Sequence, residues 1–308
     1  MAIEYHLILI NQRGCQAPSD FHQIAAYVSE MAPDIETFVV DNNNTQSVTR
    51  KRAGKRPSLI FSPGPIDRFK PLRGRVYAGS YISKLEQMRA LSAAGVPVPD
   101  FIELGSGSDV ASLGEVVLFK PDGMNASRGR GVELRRADAL ASENNQTNSS
   151  SFAQRFINSG PFPQNYRVHT LFGEPLSAYH KVSHIKLGDL GAADEVLRTY
   201  PVVSSTRTGQ TITPCCDKDI LALARRCYEA LPEVPLQGCD IVRDATTGAL
   251  FVLEVNPGGN TWVFSKERST KAGSDALVAA MGGDLTKQFD AFRTAASVLI
   301  EKTRNDAQ

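Results

Sequence analysis

The chain has 308 residues, 42% apolar and 22% charged, with a formal net charge of +1, which suits a soluble globular protein of two or three subdomains. Near-neutrality argues against bulk attraction to nucleic acid or to an anionic membrane. No apolar run approaches the roughly 18 residues of a membrane helix, and "HLILI" is too short for a signal-peptide core and has no basic region before it. A reducing cytoplasm is the expected compartment. The five cysteines, Cys15, Cys215, Cys216, Cys227 and Cys239, fit it: their number is odd and none forms a C-x-x-C spacing.

Residues 1–80 read as a small α/β unit. "YHLILI" is a strand, "SDFHQIAAYVSEM" a helix capped by Ser19, and "IETFVV", "SLIFS" and "RVYAG" three further strands, an alternation that predicts a parallel sheet. The basic loop Arg50–Arg56 is either a solvated turn or a contact for an anionic substrate. In "SKLEQMRALSAAGVPVP", Ser83 and Glu86 form a capping box, Leu85, Met88 and Leu91 make a helical stripe, and Gly95 takes the left-handed cap ahead of Pro97. Lys84 then sits in the first turn, where a cation opposes the helix dipole. Either it points into water or an anion lies nearby.

"EVVLFK" reads as a buried strand, with "GVEL" continuing it beyond the glycine-rich loop. Residues 141–151 are a polar connection, "SFAQRFI" is another strand, and "YRVHTLF", "GE" and "PLSAYHKV" form a hairpin. "DILALARRCYEAL" is amphipathic, with Ile220, Leu223, Ala224, Cys227, Tyr228 and Leu231 on one face. Residues 274–302 read as closing helices. No internal repeat is present.

"GCDIVRDATTGALFVLEVNPGGN" carries most of the chemistry. Two strand-like runs flank the loop Ala245–Ala249. Pairing Asp244 with Leu250 sets Val242 opposite Val252 and Asp240 opposite Glu254, with Asn256 on the same face. Cβ atoms so opposed lie about 5 Å apart, and like charges there are destabilising without a cation between them. Magnesium, with hard oxygen ligands at roughly 2.1 Å and substrate phosphates in its shell, satisfies that need. A one-residue slip, which sends Asp240 to the other side, is the alternative. A magnesium–polyphosphate site also calls for cations: Lys120 meets phosphate as a point charge, and Gly123, Ser127, Arg128, Gly129 and Gly131 offer converging amides. Neither a P-loop nor a G-x-G-x-x-G motif occurs.

Taken in order, "SKLEQMRALSAAGVPVP", "VVLFKPDGMNASRGRGV", "FAQRFI", "YRVHTLFGEPLSAYHKV" and "GCDIVRD…LFVLEVNPGGN" resemble the ATP-grasp superfamily across residues 80–262. The plan is similar to D-alanine–D-alanine ligases and to ligases that add glutamate to ribosomal protein tails. The resemblance implies an α/β ATP-grasp fold with an N-terminal Rossmann-like domain (1–80), a central subdomain with the glycine-rich loop (81–155) and a C-terminal subdomain with the metal site (156–308). It implies that Lys84 and Lys120 bind ATP phosphates under the closing 123–131 loop. Gln154, Arg155, Phe156 and Ile157 would form the adenine hinge through main-chain groups. Asp240, Glu254 and Asn256 would hold Mg2+ or Mn2+, with Arg167 and Lys181 facing phosphates or an acyl substrate. Departures occur at Gln154, Arg155 and Asn165, where acidic residues are common, and in 202–216, where Arg207 is a candidate carboxylate clamp or a solvated arginine.

The implied reaction joins a small-molecule carboxylate to an amine, of amino-acid or peptide type, by phosphorylating the acid with ATP. A phosphotransferase and a non-catalytic nucleotide-binding protein are the alternatives. His169, His180 and His184 are candidates for proton removal from the amine or for structural roles. Dimers are common in such families, so a homodimer is expected; neither nucleic acid nor membrane is an expected partner.

Overall fold

A computed structural model describes residues 2–12, 16–42, 55–66, 69, 73–105, 107–122, 131–143, 151–201, 209–257, 262–264 and 277–308. Its strands form three sheets. The first is parallel, with β1 (Tyr5–Asn11), β2 (Ile35–Asp41), β3 (Ser58–Ser62) and β4 (Arg75–Ala78) in the order β2-β1-β3-β4. A parallel interior strand needs apolar residues on both faces, and Leu7 to Ile10 supply them. Leu7 and Leu9 pack with Phe21, Ile24 and Val28 of helix α1 (Pro18–Met31), while Ile8 and Ile10 pack with Val40, Ile60 and Phe69. Helix α1 opens two residues earlier than the capping rule predicts. Ala17 is its N-cap and no side chain caps it. Pro18 fixes the first turn, since its φ is already helical and it has no N–H to satisfy.

Helix α2 (Lys84–Ala93) follows. Its capping box is complete: Glu86 N–H donates to Ser83 Oγ at 3.2 Å and Ser83 N–H to Glu86 Oε2 at 3.2 Å. Gly95 takes φ +69° just past the helix end, where only glycine is comfortable.

The second sheet is antiparallel and runs β5-β8-β6-β7, from β5 (Phe101–Glu103), β6 (Val116–Pro121), β7 (Glu133–Arg136) and β8 (Ser151–Arg155). The "GVEL" segment does not extend β6. It pairs antiparallel beside it, Phe119 opposite Glu133. Along β6, Val117 is in an apolar cluster with Leu140 and Ala153, and Leu118 and Lys120 point the other way. Helix α3 (Ala137–Glu143) closes this unit.

The third sheet, order β11-β10-β9-β12-β13, is built from β9 (Gln164–Leu171), β10 (Glu174–Ser183), β11 (Gln210–Pro214), β12 (Leu236–Arg243) and β13 (Leu250–Pro257). Val168, Ala178, Cys239, Ile241, Val252 and Val255 pack with Ile220, Leu223, Ala224 and Cys227 of helix α5 (Lys218–Ala230). Of the predicted helix face, Tyr228 alone turns to the neighbouring core, where it meets Phe172. The β9–β10 turn is Phe172–Gly173, at φ +49° and +84°, one residue earlier than the "GE" expected. A type I′ turn needs two positive φ angles. Phe172 accepts one because its ring packs on Phe61, Tyr77 and Tyr228. The last helix, α6 (Ala291–Asp306), packs against α1, β3 and β10 and so binds the first sheet to the third. No described helix is long and apolar enough to cross a membrane.

Candidate active site

The site grows from the face of the five-stranded sheet opposite α5. In register, Tyr179 of β10 lies beside Arg167 of β9, Arg167 beside Asp240 of β12, and Asp240 beside Glu254 of β13. One row across four strands therefore holds a cation and the two opposed acids. The predicted pairing of Asp244 with Leu250 does not hold: Arg243 faces Leu250, Val242 faces Phe251 and Ile241 faces Val252. A β-bulge takes up the difference, and Leu253 is the additional residue on β13. It restores the Asp240–Glu254 pairing.

Asp240 is enclosed by donors. Arg167 binds it in a fork, Nε to Oδ1 at 2.7 Å and Nη2 to Oδ2. Asn165 Nδ2 donates to Oδ1 at 2.9 Å and Asn256 Nδ2 to Oδ2 at 3.1 Å. These bonds fill the four lone-pair positions of a carboxylate. Burial alone would raise this carboxyl; Arg167 and Lys181 outweigh it and hold it below the ordinary aspartate range. Burial likewise works against the Arg167 guanidinium, and Asp240 more than compensates, holding it charged.

Two lysines approach from the other side. Lys84 Nζ lies 3.5 Å from Glu254 Oε2, so the first-turn cation of α2 does face an anion. Gln87, one turn on, places it there: its Oε1 accepts from Val255 N–H at 3.0 Å and its Nε2 donates to the Ile82 carbonyl at 3.0 Å. Lys120 is buried, and its Nζ donates to the carbonyl of Leu253, the bulge residue, at 3.3 Å. Burial pushes its ammonium down to about 8, against the pull of Glu254. Lys181 is also pushed down to about 8, by burial and then by Arg167.

Beside this cluster lies a small pocket. Leu118, Phe156, Ile157 and Ser159 line it with Asn165, Val242 and Leu253, and Leu187 and Pro201 complete a wall. Val242 is two residues from Asp240 on the same strand face. Of the predicted hinge, Phe156 and Ile157 border the cavity. Gln154 is buried in β8, its Nε2 at Met88 Sδ, and its main chain lies in ladders with Phe101 and Leu118. Arg155 turns to Asp100 and the ring of Phe251.

The histidines divide by environment. His169 is fully buried, and burial pushes it down to about 3, so its ring is neutral. His180 stacks on Tyr166, its Nε2 2.7 Å from Gln164 Oε1, and His184 Nε2 lies 3.0 Å from Thr211 Oγ1. Gly123, Ser127, Arg128, Gly129 and Arg207 lie outside the described residues, as do residues 50–54 of the basic loop. Gly131 is described at φ +72°, and a Cβ there would meet Pro121 Cγ at 3.0 Å. Among the described residues, no three or more His, Cys, Asp and Glu side chains gather as a metal cage.

No family model and no curated protein matches the sequence. Solved structures do match. The ligase PsnB, complexed with minimal precursor, Mg and ADP, aligns over 96% of this chain and 97% of its own with a TM-score of 0.56 at 14% identity. The chain has the ATP-grasp fold. PsnB bound to the precursor peptide PsnA2 and AMPPNP aligns over 97% and 98%, TM-score 0.53, 14% identity. The D-cycloserine synthetase DcsG aligns over 97% and 99%, TM-score 0.50, 15% identity. The ATP-grasp likeness thus spans nearly the full chain, although so few residues are shared. Sequence reasoning missed two parts of the site within this ATP-grasp frame, Gln87 and the Leu253 carbonyl. A buried glutamine in an otherwise apolar helix stripe was the available signal for the first.

Proposed function

We propose that this protein is an ATP- and Mg2+-dependent ligase that joins a carboxylate to an amine through an acyl phosphate, releasing ADP and phosphate. One observation carries the reading: Lys84, Lys120 and Arg167 converge on the opposed Asp240 and Glu254 beside a small pocket. Its apolar lining suits a nucleobase, and the charged row next to it suits a triphosphate. The ATP-grasp neighbour PsnB was captured with Mg and ADP, which supports the same assignment here. Residues 1–80, 81–155 and 156–308 are proposed to act as the three units that enclose the reactants.

Asp240, Glu254 and Asn256 would hold a hard divalent cation once Arg167 and the Asn256 amide nitrogen give up their bonds to Asp240 and the Asn256 amide oxygen turns in. Bound there, magnesium supplies charge neutralisation for phosphoryl transfer. Arg167 would exchange one of its Asp240 bonds for an oxygen of the reacting group. Lys120, held on a bulge carbonyl and poorly solvated, transfers readily to a phosphate oxygen, which offers it a full charge. Arg167 and Lys181 would stabilise the oxyanion of amine attack. A neutral, buried His169 has no charge to lose at neutral pH, which favours a structural or hydrogen-bonding role for it.

Hydroxylamine trapping tests the reaction type. ADP release with hydroxamate formation from an amino acid or dipeptide is the expected result. ADP release without hydroxamate, with a phosphorylated hydroxyl product, would assign a phosphotransferase. Mg-ATP binding without ADP release across the panel would assign a nucleotide-binding protein.

A further inference from the structure

The connection between β10 and β11 does more than turn the chain. Residues 184–201 leave the five-stranded sheet after β10 and cross to β6 and β7 of the antiparallel sheet. At the crossing, Asp194 opens a short helix, α4 (Asp194–Leu197), and receives Arg135 Nε at 3.1 and 2.9 Å and Arg136 N–H at 2.6 Å. The Arg135 side chain is only 3% exposed and that of Asp194 11%. Arg198 Nε adds a bond to Glu133 Oε2 at 3.0 Å. Beneath these ions, Leu187, Leu190, Leu197 and Tyr200 pack with Leu118, Leu134 and Phe156. Gly188 lies directly under the Tyr200 ring, and a Cβ at 188 would overlap it.

The same strap supplies Leu187 and Pro201 to the cavity wall. It therefore both covers the cavity and ties together the two sheets between which the cavity lies. The choice of a buried ion pair matters. An apolar pair of similar volume would hold at least as firmly, because desolvation offsets much of the attraction between buried charges. What the ion pair adds is one defined closed geometry that can open into water, where both charges are solvated again.

We propose that residues 184–201 are a latch on the cleft, with Asp194 a positioning residue that acts through Arg135 on the Leu187–Pro201 wall, so that nucleotide release waits on opening of the strap. This rests on the reading of the cavity as the nucleobase site. The test is stopped-flow displacement of a fluorescent N-methylanthraniloyl-ADP, with Mg2+, from the full chain. Asp194→Asn and Gly188→Ala should each raise the dissociation rate about tenfold, a typical coupling for two-state elements. Glu195→Gln, an exposed neighbour on the strap, should leave it unchanged. The apolar pair Arg135→Met with Asp194→Leu should restore slow release. Unchanged rates in folded Asp194→Asn and Gly188→Ala proteins overturn the latch. If the wild-type chain binds no labelled ADP, the nucleotide reading fails by itself, and hydrogen exchange of the ligand-free chain decides the latch. Asp194→Asn should then speed exchange in 187–201 and β7 but not in β12 and β13; equal exchange throughout overturns it.

Discussion

The ammonium of Lys120 lies 3.3 Å from the carbonyl oxygen of Leu253, the residue added to β13 by its bulge. One irregularity thus serves two purposes. It brings Glu254 opposite Asp240, and it turns out a carbonyl that anchors the lysine of the facing sheet. A carbonyl carries only a partial charge, so a phosphate oxygen competes well for this lysine. Lys120→Met should therefore weaken Mg-AMPPNP binding by about tenfold or more, the scale of a lost charged hydrogen bond, measured by calorimetry. The melting temperature should fall little, because the buried ammonium is poorly compensated.

Lys120 and Lys181, both pushed down to about 8 by burial, give nucleotide binding a defined pH dependence. Affinity should decline as pH rises through about 8, where the free protein loses these charges. Stability should move the opposite way. The folded pKa lies below the unfolded one, so between about 8 and the ordinary lysine value the unfolded chain holds more protons, and stability rises with pH across that interval. Calorimetric titrations and urea midpoints at pH 7, 8 and 9 check both signs. An affinity that is flat over this range would count against either lysine meeting phosphate.

Asp240→Asn removes the anion from an arginine that is four-fifths buried. An unpaired charge so placed costs roughly 3 kcal/mol, so this variant should lose stability as well as activity. Pairing it with Arg167→Met should recover part of the loss, and a double-mutant cycle in urea measures the coupling. Activity should not return in the double variant.

Gln87→Leu keeps the approximate size of a buried helix side chain but strands the Val255 N–H. A buried donor left unsatisfied costs about 1–3 kcal/mol. Because Lys84 is held through the same helix, the variant should also bind nucleotide more weakly. Gln87→Glu, which can still accept that bond, should retain more of both properties in melting and binding measurements.

Val242→Trp should fill the cavity beside Asp240 without touching a charged group. Expected are a stability loss of about 1–3 kcal/mol from overpacking at a buried position and a fall in Mg-AMPPNP affinity of about tenfold or more, since a small-molecule site depends on its apolar contact area. Unaltered affinity in a folded variant would place the nucleobase elsewhere.

Much of this was readable along the chain because it depends on local rules. The apolar run Leu7–Ile10 dictates a two-faced strand, Ser83 and Glu86 dictate a helix start, and strand alternation carries Asp240, Glu254 and Asn256 to one side. The awkward charge of Lys84 left water and a nearby anion as alternatives, and Glu254 is the anion. Local rules went astray where distant packing outweighed them. Phe172 takes a positive φ because three rings surround it, and the β12–β13 register shifts at a bulge that no residue type in the strand announces.

The residue types and their periodicity determined which segments are strands and helices and which face of each is polar, since those follow from side-chain spacing along one segment. The partners across segments were decided in three dimensions: Arg167 on Asp240, Gln87 on Val255, Lys120 on the Leu253 carbonyl, Arg135 on Asp194. Each joins residues far apart in the chain, and each forms only because the packing of three sheets fixes the distances between groups that no spacing in the sequence can encode.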